Sequence, residues 1–142
     1  MNNLKKTNVF YENIEKKTLE NNLYRNVVYT GKQQQFVYMS LEPNDDIHME
    51  MHPEHDQFIR IEQGQGEAIV DGKTYELYDG IGIIIPAGSQ HQIKNKSSTE
   101  KLKLYSIYSP PEHPQGKIDI LNPDFKYKQK YLKYKQKYLS IK

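Results

Sequence analysis

Short runs of alternating apolar residues, broken again and again by glycine and proline, constrain this chain more than any other feature. Residues 26–30 end at Gly31-Lys32, and 35–41 place Val37, Met39 and Leu41 on one face before Pro43-Asn44-Asp45. Further runs at 48–52, 57–62, 67–70, 73–78, 81–85, 91–94 and 102–108 are separated by Pro53, Gly64-Gln65-Gly66, Asp71-Gly72, Asp79-Gly80, Pro86-Ala87-Gly88 and a polar turn. Side chains alternate across a strand, so each run can bury one face. Many short strands punctuated in this way predict an all-β antiparallel sandwich or barrel. No helix-length amphipathic segment interrupts them, which argues against a parallel α/β layout. In 102–108 the alternation puts Leu102, Leu104, Ser106 and Tyr108 inside and Lys103 on the opposite face.

At 142 residues the chain suffices for one domain with a modest core. Residues 1–23, rich in Asn, Lys and Glu, read as a loosely attached N-terminal arm with one turn of helix or an extra edge strand, anchored by Val9, Phe10 and Ile14. The domain is expected over 24–117 and a tail over 118–142. In the tail the heptad Lys126-Tyr127-Lys128-Gln129-Lys130-Tyr131-Leu132 is repeated without change over 133–139. Tyr127, Tyr131, Tyr134 and Tyr138 would form a helical stripe flanked by lysine, although two heptads are too few for a self-sufficient coiled coil. Net charge is +2, yet 125–142 hold seven lysines and no acid, leaving 13 basic residues against 18 acidic ones in the rest. The body is acidic and the tail basic. The tail reads as a solvated extension, with nucleic-acid binding through lysine and tyrosine stacking as the sharper alternative.

Cysteine is absent, so disulfides and thiolate sites are excluded and any metal must be held by nitrogen and oxygen. No apolar run approaches the ~20 residues of a membrane span. The first residues lack an apolar signal core, so the expectation is a cytoplasmic protein with no membrane partner.

The stretch from Asp46 to Asn95 concentrates the chemistry. Glu50 and His52 lie two apart on a strand and leave the same face. Gln57 opens the next run, and His91 follows Pro86-Ala87-Gly88. Four donor types on separate strands converge only if those strands fold back over one another.

These residues carry a resemblance. Gly80, Pro86, Gly88, His91 and Asn95 reproduce the second cupin motif, G-x5-P-x-G-x2-H-x3-N, at every specified position. The first cupin motif, G-x5-H-x-H-x3–4-E-x6-G, is matched in spacing by Asn44, Glu50, His52, Gln57 and Gly64. Three residue types differ: Asn for the first glycine, Glu for the first histidine and Gln for the glutamate. With 56–64, 102–111 and 113–116, the chain from about 10 to 117 resembles small single-domain cupins of the cupin 2 type. Members of that group are often labelled mannose-6-phosphate isomerase-like.

The resemblance implies a double-stranded β-helix, the RmlC-like jelly-roll barrel. It also implies one divalent metal held by Glu50, His52, Gln57 and His91. Two imidazoles, one carboxylate and a neutral amide suit Zn, Mn, Fe or Ni better than Mg or Ca. Type I mannose-6-phosphate isomerases are similar in using two His, one Glu and one Gln, with Glu and Gln exchanged. His48, Met39, Ile59 and Tyr108 are expected to line the pocket, whereas His55 and His113 are read as loop residues. The expected partner is a small polar molecule, a sugar phosphate or carboxylate, and the expected assembly a homodimer.

An isomerase-like enzyme is the first function class implied. An iron-dependent oxygenase and a non-catalytic small-molecule sensor are the alternatives. Gln57 in place of glutamate removes a negative charge, so a metal-free cupin that keeps only the pocket also stays open. The tail resembles the lysine- and tyrosine-rich ends of proteins from AT-rich genomes such as those of large DNA viruses.

Overall fold

The computed structural model describes residues 8–124. The heptad tail lies outside the described residues. The strands are β1 (Arg25–Thr30), β2 (Gln35–Leu41), β3 (Asp46–Met51), β4 (Asp56–Gln63), β5 (Gln65–Val70), β6 (Lys73–Tyr78), β7 (Gly82–Ile85), β8 (Gln90–Asn95), β9 (Leu102–Ser109) and β10 (Ile118–Asp119). They form two antiparallel sheets, ordered β10-β1-β2-β9-β4-β7 and β3-β8-β5-β6. The result is an antiparallel β-sandwich, as the punctuated strands predicted, with the jelly-roll form that the cupin resemblance implies.

Local chemistry sets the registers. Asp71 and Gly72 both have positive φ, the pair of left-handed residues a two-residue hairpin needs, and they align Val70 with Lys73. Gly66 answers a different demand. A Cβ there would sit 2.4 Å from the Lys94 carbonyl, so only glycine lets β5 approach β8 this closely.

The inward faces follow the two-residue period. Gln57, Ile59 and Ile61 of β4 are buried, as are His91, Ile93 and Asn95 of β8. Met39, Leu41, Ile59, Ile61 and Leu104 from the larger sheet meet Ile47, Ala68, Leu77 and Ile93 from the smaller one in a single core. Asn95 ends the inward row of β8. Its Nδ2 donates to the carbonyls of Leu41, Glu42 and Glu100, and its Oδ1 accepts from Ser97 N–H at 2.9 Å. Asn95→Ala would strand these buried groups, at about 1–3 kcal/mol for such an unsatisfied site. Urea unfolding should show a lower midpoint with an unchanged slope.

Strands β2 and β9 are buried on both faces, which alternation alone does not predict. The cause is the chain before β1. The helix α1 (Ile14–Glu20), capped by the Asn13 side chain accepting from Lys16 N–H, lies against the larger sheet. Phe10 packs 4.9 Å from Phe36, whose ring stacks on Tyr105 at 4.9 Å, and Tyr38 donates to Glu12 at 2.8 Å. Lys103, assigned by alternation to an outward face, is therefore 4% exposed. Its Nζ donates to the Asn21 carbonyl and to Asn22 Oδ1, and burial lowers its pKa.

Residues 118–124 also lie on the barrel. Here β10 pairs with β1, and buried Asn122 donates to both carboxylate oxygens of Asp45. Among the described residues no helix is long and apolar enough to cross a membrane.

Candidate metal centre

Strand pairing assembles the donors. In the antiparallel ladder of β3 with β8, Glu50 stands directly opposite His91. His52 follows two residues after Glu50, and its carbonyl accepts from Gly88 N–H at 2.8 Å, which ties the Pro86-Ala87-Gly88 turn to the end of β3. Asp56 accepts from Ala87 N–H at 2.9 Å and fixes the same turn from the start of β4.

One donor atom each from Glu50, His52 and His91 lies within 4.8 Å of the others. Nε2 of His52 is 3.4 Å and Nε2 of His91 is 3.6 Å from the same Glu50 oxygen. Hydrogen bonds between such groups run to about 2.7–3.2 Å. Donors arranged around a cation at about 2.1 Å stand roughly 3.0–3.4 Å apart, closer to what is seen. Both imidazole Nε2 atoms are buried without a hydrogen-bond partner.

The opposite ring nitrogens are engaged. His91 Nδ1 is 3.0 Å from the Ser89 carbonyl, which accepts only, so the proton sits on Nδ1 and the Nε2 lone pair faces Glu50. His52 Nδ1 is 3.4 Å from Glu112 Oε1. Burial raises the pKa of Glu50, but the two imidazoles, where they carry a proton at Nε2, outweigh it and hold the carboxyl well below the usual carboxylate range. The residues present thus fit a divalent cation: three donors of the right type, two with lone pairs committed to nothing else.

Gln57 is 2% exposed, and its Nε2 donates to Ser106 Oγ at 3.2 Å and Tyr108 Oη at 3.1 Å. Its Oε1, the metal-binding end of an amide, is buried and unpaired. Tyr108 connects Gln57 to the cluster, its ring edge-on to His52 at 5.7 Å. Burial pushes the Tyr108 phenol far above its ordinary value, so it stays protonated.

Met39 and Ile59 are packed in the apolar core. His48 stands apart from the cluster. Simple alternation would give it the face of Glu50, but the β3–β8 register shifts between Ile47 and Glu50. The bulge turns His48 to solvent, where its Nδ1 meets Asp124.

Several residues were not singled out by motif reasoning. Glu112 contacts both His52 and His55, the latter at 2.8 Å from Oε2. His113 packs edge-on to Tyr108 at 5.0 Å with Nε2 buried and unpaired. Burial and the charge of Arg25 lower its pKa to about 4, so it is neutral at physiological pH. Arg25, on β1 opposite Met39, donates from Nη1 to Asp119 and keeps a buried, unpaired Nε–H. The available signal was a Glu-His pair inside a proline-rich segment directly after a strand that ends in an inward tyrosine.

Comparison with known proteins agrees with this geometry. Residues 37–108 match the family described as the cupin domain. An uncharacterized protein of Acanthamoeba polyphaga mimivirus is 46% identical over 87% of this chain and 87% of its own length. The uncharacterized protein YrkC of Bacillus subtilis is 44% identical over 77% of this chain and 61% of its own. Among solved structures, BH2720 from Bacillus halodurans superposes with a TM-score of 0.77 at 38% identity, covering 79% of this chain and 89% of that one. The family match spans both donor-bearing motifs from the middle of β2 to Tyr108, and on that ground the chain belongs to the cupin family.

Proposed function

We propose that this protein is a metal-dependent cupin that binds a small anionic molecule, a sugar phosphate or a carboxylate, with isomerisation as the first reaction to test. The observation that carries the reading is the convergence of the buried, unpaired Nε2 atoms of His52 and His91 on the Glu50 carboxylate. Glu50, His52 and His91 would hold the cation, with Gln57 as a neutral fourth donor. When bound, the ion supplies a Lewis acid able to polarise a carbonyl or hydroxyl oxygen.

The charge balance favours an anion. Among the donors themselves, one carboxylate against a divalent ion leaves a positive excess, because the imidazoles and the amide are neutral, and the Glu112 carboxylate behind His52 offsets part of it. Arg25 offers an obligatory donor, Nε–H, that is buried and unsatisfied within the protein. A buried unpaired donor costs about 1–3 kcal/mol, which a ligand oxygen would recover. Neutral His113, with its unpaired Nε2, and protonated Tyr108 add hydrogen-bonding groups next to His52.

The test is calorimetric titration of zinc- or manganese-loaded protein with hexose phosphates and with 2-hydroxy and 2-oxo carboxylates, followed by proton NMR of the mixtures. Metal-dependent binding that Arg25→Gln weakens about tenfold is the expected result. Conversion of an aldose phosphate to its ketose places the protein among isomerases. Binding without conversion makes it a sensor. Binding that is identical with and without metal would sink the reading.

A further inference from the structure

Gln35 is fully buried, outside both cupin motifs, and its amide uses its whole hydrogen-bonding capacity on the 112–113 segment and the end of β1. Nε2 donates to Thr30 Oγ1 at 2.9 Å and to the His113 carbonyl at 2.7 Å. Oε1 accepts from the backbone N–H of Glu112 at 3.1 Å and of His113 at 2.8 Å. A single side chain therefore grips residues 112 and 113 from both sides of the backbone and fixes the point from which the Glu112 side chain starts. Glu112 Oε1 lies 3.4 Å from His52 Nδ1, an ion-pair contact a little longer than a hydrogen bond. The second oxygen is held 2.8 Å from His55 Nε2, while His55 Nδ1 is 2.7 Å from the Pro110 carbonyl.

We propose that Gln35 and Glu112 form a positioning strut for the metal centre, in which Glu112 orients the His52 ring and keeps its Nε2 lone pair aimed at the cation. The proposal rests on the metal reading above. A carboxylate on the remote nitrogen of a ligating histidine fixes the tautomer, restricts ring rotation and makes the ligating nitrogen more basic. His91 has a backbone carbonyl, that of Ser89, in the same role. The two histidines are thus held by different devices, one local to β8 and one delivered by a segment that starts beyond β9. The 110–113 segment would then belong to the metal centre and not only to the connection between strands.

The experiment measures zinc affinity by competition with a chromophoric chelator, with the melting temperature of the metal-free protein as the control for folding. Glu112→Ala is expected to weaken zinc binding about 10–100-fold, the usual range for such partners. Glu112→Gln keeps an acceptor and should lose less. Gln35→Ala should reproduce much of the Glu112→Ala loss, and the double variant should lose no more than the larger single loss. In a His52→Ala background, Glu112→Ala should have no further effect on whatever affinity remains.

The alternative is that Glu112 merely staples the segment through His55. His55→Ala tests it: unchanged zinc affinity supports the strut, and a loss equal to that of Glu112→Ala overturns it. Wild-type affinity in Glu112→Ala would also overturn it while leaving the metal centre standing. A wild-type protein that binds no zinc at all would remove both proposals together.

Discussion

Replacing His91 or His52 by alanine is expected to cost well over a hundredfold in divalent-metal affinity, more than the loss of any supporting residue. Each imidazole supplies one of the few donors in a site that contains a single carboxylate and no thiolate. Loss of a partner behind a ligand typically costs 10–100-fold, so loss of the ligand itself should exceed that range. Elemental analysis of wild type and both variants after equal loading and desalting is the measurement. Near-stoichiometric metal in wild type and trace levels in both variants is the expected pattern; equal trace levels in all three would remove the site.

The same donors set a pH dependence. Protons and cation compete for Nε2. Glu50 beside His52 raises that imidazole's pKa above the ordinary 6.5, more than burial lowers it. The protonated form therefore begins to compete at a higher pH than for a free histidine. Affinity should be level well above that pKa and should fall with pH through it, by about tenfold per unit as His52 takes up its proton. Affinity that rises on acidification would contradict this assignment.

Leu104→Ala is expected to be the most damaging substitution for stability. Leu104 is 0% exposed at the middle of β9, the strand that pairs with both β2 and β4, and its neighbours in register are Met39 and Ile61. No side chain there can relax into solvent. Truncation of a buried leucine costs about 2–5 kcal/mol, a large part of the roughly 5–15 kcal/mol that holds a domain together. For a chain of this size the melting temperature should drop by roughly 10 °C. Zinc affinity of the folded fraction should stay within about threefold of wild type, because the donors come from β3, β4 and β8 and the turns beside them. A loss of affinity as large as that of His91→Ala would show that the core and the site are not separable.

Much of this architecture was legible in the sequence because period-two alternation is enforced residue by residue. The row Val37, Met39 and Leu41 and the row Leu102, Leu104, Ser106 and Tyr108 read directly as inward faces, and all are buried. The cupin motifs placed Glu50, His52 and His91 together because fixed spacing on paired strands leaves their side chains few other places to go. What could not be read depends on contacts without a local signature. Lys103 is buried by an arm about eighty residues earlier in the chain. His48 turns outward because one bulge interrupts an otherwise regular strand. Gln35, Glu112 and Arg25 matter through partners distant in sequence, and each is an ordinary polar residue until the fold is known.

The position of His91 and Asn95 on one strand has a consequence for how such a protein can change over time. They are four residues apart on the same face, one at the cation donors and the other closing the loops at the opposite end. A slip of β8 by a single step would send both to the wrong side at once, losing chemistry and architecture together. Drift in this strand is therefore confined to its outward positions, Gln90, Gln92 and Lys94. New specificities have to be written on neighbouring strands and on the segment beyond β9, where a side chain can be exchanged without moving the frame.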